Sequence, residues 1–180
     1  GDWTIQLAEE APEAEVVGLD FSEKMLEVAA EKTSGHPNIE LIQGNAMALP
    51  FDDGSFDYVT IGFGLRNLPD YGSAVEEFYR VLKPGGTLVI LETSTPENQL
   101  ISRGFDFYFG KIMPTLGGII ADSAKEYEWL YESTSAFLSK DALKLMMKKS
   151  GFINLKVIPH TLGTAATHIG YKPLGRVGRH

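Results

Sequence analysis

Val16-Val17-Gly18-Leu19-Asp20-Phe21-Ser22 is the stretch on which the reading of this chain turns. Val16, Val17 and Leu19 make a short apolar run rich in β-branched residues, bounded by turn residues and ending on a carboxylate, the pattern of a buried strand. Ser22 follows where a helix N-cap belongs, since its hydroxyl can accept from a first-turn N–H that has no partner within the helix. Met25, Leu26 and Ala29 then recur at helical spacing. The stretch predicts a strand, a tight turn and a helix.

The same rhythm continues outward. Ile39-Glu40-Leu41-Ile42 reads as the next strand, Asp52-Asp53-Gly54-Ser55 as a turn, and Phe56 to Ile61 as a third strand. Asp70 is placed to cap a helix carrying Ala74, Val75, Phe78, Val81 and Leu82 on one face. That helix is expected to stop at Lys83-Pro84-Gly85-Gly86, because proline cannot continue it and glycine permits the turn. Thr87 to Glu92 reads as a fourth strand. Alternation of this kind implies parallel strands joined by right-handed crossovers, a doubly wound α/β fold. The second half breaks the rhythm. Residues 98–136 are aromatic-rich and predicted helical, and 139–150 form an amphipathic helix between Ser139 and Gly151. Strands near 152–158 and 165–171, joined by a short Gly/Thr-bearing connection, predict an antiparallel hairpin at the sheet edge. No internal repeat or linker is visible, and the end from Pro173 reads as an unstructured tail.

Composition bounds the classes. The chain has 180 residues with 16 basic and 24 acidic side chains, four His and no Cys, for a formal charge of −8. One domain of this length buries roughly 70% of the surface its unfolded chain exposes. Apolar and charged fractions of 43% and 22% are ordinary, which excludes disorder, collagen-like repeats and a coiled coil. Lack of Cys excludes a disulfide scaffold, a Cys-based zinc site and a thiol nucleophile. The first residues lack the basic start and apolar run of a signal peptide, and no stretch approaches the ~20 apolar residues of a membrane span. The expectation is a soluble, cytoplasmic, single domain over residues 1–172. Charge is uneven: residues 1–100 hold 5 basic and 18 acidic side chains, and residues 101–180 hold 11 and 6. Either solvated faces differ in sign, or the first half tolerates a cationic ligand and the second meets an anionic surface.

Ligands of an open doubly wound sheet bind at the carboxyl ends of its strands. Asp20 ends the first strand, where a carboxylate can accept from two ribose hydroxyls. Gln43-Gly44-Asn45-Ala46 follows the second, where an Asn amide and the next backbone N–H can read an adenine edge. Gly62-Phe63-Gly64 follows the third, where absent side chains let a ligand approach the backbone. Each alone is more readily a turn or capping residue. Three at successive strand ends point to a nucleoside site.

Gly18-Leu19-Asp20-Phe21-Ser22, Gly44-Asn45-Ala46, Ser55-Phe56-Asp57 and Leu82 to Gly86 together resemble class I S-adenosylmethionine-dependent methyltransferases. Narrower features are Phe63-Gly64-Leu65-Arg66-Asn67, Leu91-Glu92-Thr93-Ser94, Phe107-Tyr108-Phe109 with Met113-Pro114, and His168-Ile169-Gly170-Tyr171. These resemble the quinone C-methyltransferases of menaquinone and ubiquinone biosynthesis, nearest to the menaquinone-pathway branch. The resemblance runs from Gly1 to about Lys172. In that family a strand and a glycine-rich turn precede Asp-Trp-Thr, found here as Asp2-Trp3-Thr4. The expected fold is therefore a Rossmann-like methyltransferase sheet with a C-terminal hairpin, its first strand and glycine-rich loop missing from this chain by truncation.

The resemblance implies S-adenosylmethionine as cofactor and S-adenosylhomocysteine as product, without a metal. It assigns Asp20, Phe21, Asn45, Ala46 and Gly62 to the cofactor. It implies C-methylation of a prenylated quinol, demethylmenaquinol to menaquinol, with the benzoquinol of ubiquinone biosynthesis as the alternative. A ring carbon becomes nucleophilic when the adjacent phenol is deprotonated, so a cation stabilising that phenolate would accelerate the reaction. Arg66 is the candidate catalytic residue; as a proton acceptor it would need a relaying water. The plainer reading pairs Arg66 with a carboxylate such as Asp70. Arg66→Ala is expected to spare cofactor binding and lower methyl transfer. His36 and His180 are expected to be solvated, and His160 and His168 to be structural.

In 98–136, Phe105, Phe107, Tyr108, Phe109, Trp129 and Tyr131 read equally as core or as a groove for a polyprenyl tail. Lys111 and Lys125 flank that region and suit peripheral contact with an anionic membrane. Two rivals stand: a Rossmann-type oxidoreductase using Asp20 for an NAD ribose, and a non-catalytic scaffold that keeps the fold and binds partner enzymes. Nucleic acid is disfavoured by the net charge. Oligomeric state is open, a homodimer included.

Overall fold

The computed structural model describes residues 1–96, 103 and 132–175. Two units divide the chain, Gly1–Asp52 and Asp53–His180. In the first, helix α1 (Asp2–Glu10) precedes strand β1 (Val16–Asp20), helix α2 (Glu23–Thr33) and strand β2 (Ile39–Gln43). β1 and β2 pair in parallel, from Val16 opposite Ile39 to Asp20 opposite Gln43. The Ser22 side chain accepts from the Met25 N–H at 3.4 Å and starts α2. Within α2 the buried residues are Ala29 and Thr33, one turn apart, while Met25 is exposed, so the inward stripe is narrower than its apolar spacing predicts. Asp2 and Lys32 join α1 to α2 by an ion pair of 2.9 Å. His36 is not simply solvated as expected: it is half-buried, with Nε2 3.3 Å from Glu9 Oε1.

The second unit contains strand β3 (Phe56–Gly62), a 3-10 turn at Leu65–Asn67, helix α3 (Tyr71–Val81) and strand β4 (Leu82–Thr93). Helix α4 (Lys140–Lys149), strand β5 (Ile153–His160), a 3-10 turn at Thr161–Gly163 and strand β6 (Ala165–Tyr171) follow. The order β3-β4-β6-β5 has β3 and β4 parallel, with the β5–β6 hairpin added antiparallel to β4. Parallel pairing in both units and the terminal hairpin agree with the expected α/β Rossmann-like fold.

Asp70 caps α3 as expected, accepting from Ser73 N at 3.1 Å and from Ser73 Oγ at 2.7 Å. Ala74, Val75, Phe78 and Val81 are buried along one face, each large side chain contributing roughly 1.5–3 kcal/mol by leaving water. Ser139 caps α4 by accepting from Ala142 N at 3.2 Å. Leu143 and Met147 point inward, and Gly151 at φ 104° ends the run. The Phe152 ring meets Tyr79 edge-on at 5.1 Å between centroids.

One boundary differs from expectation. Lys83-Pro84-Gly85-Gly86 does not separate α3 from a strand beginning at Thr87; β4 already starts at Leu82. Phe56 faces Leu82 and Tyr58 faces Thr87, so these four residues bulge out opposite Asp57. Gly85 at φ 83° makes the bulge possible, and Lys83 Nζ ties it to Asp57 at 2.8 Å.

The aromatic residues and lysines noted at 105–131 lie outside the described residues, as does His180. Residues 132–136 are helical, and 172–175 have no regular structure. No helix among the described residues is long and apolar enough to cross a membrane.

Candidate active site

Each unit presents a set of polar groups at strand carboxyl ends. In the first unit, Asp20 and Gln43 sit opposite each other at the ends of β1 and β2. Asp20 Oδ1 accepts from Ser22 N at 2.8 Å, so the same carboxylate that ends the strand shapes the turn into α2. Among the described residues Oδ2 accepts nothing. The Gly44 N–H donates to the Asp20 carbonyl at 3.0 Å, and Gln43 Nε2 donates to the Phe21 carbonyl at 3.2 Å. These bonds hold the two strand ends together. Phe21 is 77% exposed, an aromatic face beside an acidic strand end.

Asn45 Oδ1 accepts from Met47 N at 2.9 Å and the Asn45 carbonyl from Ala48 N at 2.9 Å, a local turn that pins the side chain. Its carboxamide oxygen keeps a second lone pair and its NH2 two donors. The first unit thus offers a carboxylate oxygen for vicinal hydroxyls, an exposed ring, and an amide beside the Ala46 backbone. That donor and acceptor set suits a nucleoside. The adenosine part of S-adenosylmethionine carries the complementary groups, vicinal hydroxyls and an adenine edge.

In the second unit, β3 ends at Gly62 and the Phe63 N–H donates to the Leu91 carbonyl at 2.8 Å. Phe63 has φ 54°, a left-handed conformation uncommon for a bulky residue and a form of backbone strain found at functional loops. Its carbonyl accepts from Arg66 Nη1 at 2.8 Å and from Asn67 Nδ2 at 3.5 Å, which secures the strained turn.

Arg66 is not paired with Asp70, whose carboxylate is committed to capping α3. Its partner is Glu92, with Nη1 2.6 Å from Oε1. Arg66 is 11% exposed and Glu92 2% by side chain. Glu92 Oε2 also accepts from the Arg66 backbone N–H at 3.1 Å, and Oε1 from Thr93 N at 2.7 Å. One carboxylate therefore holds residue 66 at its backbone and at its guanidinium. Arg66 Nε is buried without a partner, and among the described residues Nη2 makes no hydrogen bond either.

Sequence reasoning missed Glu92 as the partner. A charged residue ending the apolar run Leu88 to Leu91 was the available signal. His160 and His168 are structural as expected: His160 Nε2 lies 2.8 Å from Thr167 Oγ1, and His168 Nε2 lies 2.9 Å from the Lys140 carbonyl. No group of three His, Asp or Glu suited to a metal occurs among the described residues.

The model of the ubiE/COQ5 methyltransferase family matches residues 1–172. The demethylmenaquinone methyltransferases of Staphylococcus aureus strains JH9 and Newman are each 54% identical over 173 residues, covering 96% of this chain and 72% of theirs. Among solved structures, a Thermotoga maritima S-adenosylmethionine-dependent methyltransferase aligns with a TM-score of 0.62 at 22% identity, over 87% of this chain and 72% of its own. A Haemonchus contortus N-methyltransferase, solved with phosphomonomethylethanolamine and S-adenosylhomocysteine, aligns at 0.66 and 19% identity, over 94% of this chain and 46% of its own. These structural likenesses establish the fold.

Proposed function

The chain belongs to the ubiE/COQ5 methyltransferase family, and from that premise we propose that it methylates a ring carbon of a reduced prenylated naphthoquinone, converting demethylmenaquinol to menaquinol. The observation that carries this reading is 54% identity to the Staphylococcus aureus enzymes across nearly the whole chain. Membership in a methyltransferase family replaces the oxidoreductase alternative. S-adenosylmethionine, when bound, supplies a methyl group activated by its sulfonium. Asp20 would accept from the ribose hydroxyls, Phe21 would cover the adenine, and Asn45 with Ala46 would read its edge. Gly62 would give the cofactor access to the backbone. The functional unit is one methyltransferase domain over 1–172, acting from the cytoplasmic side at the membrane where its substrate resides.

Arg66 is the residue we assign to the substrate. Its Nη1 is committed to Glu92 and Phe63 and its Nε is buried, which leaves Nη2 as the donor for a phenolate oxygen. A fixed, largely dehydrated guanidinium stabilises a developing anion more than a solvated one, because no solvent has to reorganise around it. A water held by Arg66 would pass the phenol proton on to bulk solvent; as the methyl group leaves sulfur and bonds to the ring carbon, that carbon's own hydrogen would leave as a second proton when the ring regains aromaticity.

Burial changes the test. Arg66→Ala would strand Glu92 uncompensated, at a cost of roughly 3–5 kcal/mol, so loss of activity there would report folding as well as chemistry. Arg66→Lys keeps the charge and loses the fork. Tritiated methyl transfer to reduced short-chain demethylmenaquinone is expected to fall on the order of a hundredfold in Arg66→Lys, with S-adenosylhomocysteine binding retained. S-adenosylhomocysteine, and not NAD, should bind in calorimetric titration. Tight NAD binding, or label entering a benzoquinol in preference to the naphthoquinol, would overturn the reading.

A further inference from the structure

We propose that Glu92, Thr93 and Thr134 form a buried hydrogen-bonded chain that sets the pose of Arg66, with Glu92 and Thr134 as positioning residues for methyl transfer. The inference rests on Arg66 acting at the substrate oxygen, as argued above.

The Glu92 carboxylate lies at the centre of the chain. Besides the Arg66 guanidinium and the two backbone N–H groups, it accepts from Thr93 Oγ1 at 3.2 Å. Thr93 Oγ1 in turn accepts from Thr134 Oγ1 at 3.2 Å. Thr134 is 3% exposed. Its hydroxyl, 41 residues on from Thr93, thus donates into a chain that ends on Arg66. A second contact comes from the same segment. The Phe137 ring meets Tyr71 edge-on at 5.2 Å, and Tyr71 Oη donates to the Arg66 carbonyl at 3.5 Å. Residues 134 and 137 therefore reach Arg66 by separate routes, one through its head group and one through its backbone.

Stability alone does not account for this arrangement. A buried ion pair repays its desolvation only with excellent geometry, and apolar residues of similar volume are often as stable. Here the pair is retained with Arg66 Nε unsatisfied, a further cost that a purely structural pair would have no reason to carry. Glu92 itself has no room to touch a substrate, because both oxygens are committed and its side chain is 2% exposed. Its effect must pass through Arg66. The Thr134 hydroxyl orders Thr93 Oγ1, which fixes the carboxylate, which holds the guanidinium in one orientation. Linked hydrogen bonds of this kind reinforce one another in a low-dielectric interior.

The test uses the full-length protein, S-adenosylmethionine carrying tritiated methyl, and reduced short-chain demethylmenaquinone. Thr134→Val removes the hydroxyl at nearly constant shape and is expected to lower kcat about tenfold, the loss of one hydrogen bond made to the transition state's support. KM for S-adenosylmethionine and the melting temperature should stay near wild type. Thr134→Ser should recover most of the lost kcat, which a simple packing role would not predict. Glu92→Gln should lose more than Thr134→Val. In the double variant Arg66→Lys/Thr134→Val the losses should fail to multiply, because both act through one guanidinium. Wild-type kcat in Thr134→Val, or fully multiplicative losses, would overturn the inference while a low kcat in Arg66→Lys leaves the assignment of Arg66 standing. Wild-type kcat in Arg66→Lys would overturn both.

Discussion

Arg66 shows why a residue's role depends on its partner. As an arginine beside a helix cap it reads as a neighbour of Asp70; as a guanidinium on Glu92 it is held, dehydrated and left with an open donor. His168 makes a different point at the same scale. It lies in β6 opposite Ile90 and is 3% exposed, with Nε2 on the Lys140 carbonyl and Nδ1 unpartnered. Burial pushes its pKa below 6.5, and the nearby Lys140 and Lys144 charges push the same way. The hydrogen bond to Lys140 and the Asp141 charge oppose the shift. The native state therefore favours the neutral ring, while the unfolded chain takes up a proton near 6.5. Below that pH the unfolded state binds more protons, so stability falls as pH drops from 6.5 towards the folded pKa and then levels off. Urea midpoints measured on both sides of pH 6.5 should show this acid-side loss in the wild type. His168→Gln, which keeps a donor and removes the titration, should flatten it; an unchanged pH dependence would count against the assignment.

Among the elements, β4 is the one that holds Arg66. Its carboxyl end delivers Glu92 and Thr93, and its start is displaced by the bulge at Lys83–Gly86. The bulge lets one strand pair first with Phe56 and then, past Asp57, with Tyr58 onward. Gly86 is packed closely within it: a Cβ there would meet the Lys83 carbonyl at 2.8 Å and the Asp57 carbonyl at 3.0 Å. Both are backbone atoms and cannot swing aside. Gly86→Ala is expected to cost about 1–3 kcal/mol in urea unfolding, as overpacking does. A stability equal to wild type would show that the bulge relaxes freely.

For the whole molecule, charge is divided unevenly along the chain. The −13 of residues 1–100 and the +5 of residues 101–180 suit a cationic cofactor and an anionic surface respectively. On α4, Leu143 and Met147 are buried while Lys144, Leu145, Lys148 and Lys149 are exposed, a basic face with an apolar residue in it. Co-sedimentation with vesicles containing anionic lipid should detect binding at low salt. It should weaken as salt shortens the Debye length from about 10 Å at 0.1 M to about 3 Å at 1 M. Lys144→Glu/Lys148→Glu should weaken it further. Absence of binding at low salt would remove the membrane from the account.

Local chemistry made much of this legible from the chain. Ser22, Asp70 and Ser139 cap helices because a side-chain oxygen reaches an N–H three residues away, a contact any nearby strand or helix leaves intact. The strand ending at Asp20 followed for the same reason, as an apolar run bounded by turn residues, while the third strand runs to Gly62, one residue past the expected Ile61. Helix α1 went unpredicted because its nine residues carry little apolar stripe; only Ala8 is buried. The pairing of Arg66 with Glu92 spans 26 residues, and that of Thr93 with Thr134 spans 41. Neither has a local signature. Short-range spacing and turn chemistry dictate the α/β alternation, the caps and the family motifs. Which carboxylate holds Arg66, and what holds that carboxylate, is decided only when the sheet brings distant strand ends together, because burial makes the choice of partner and burial is a property of the folded chain.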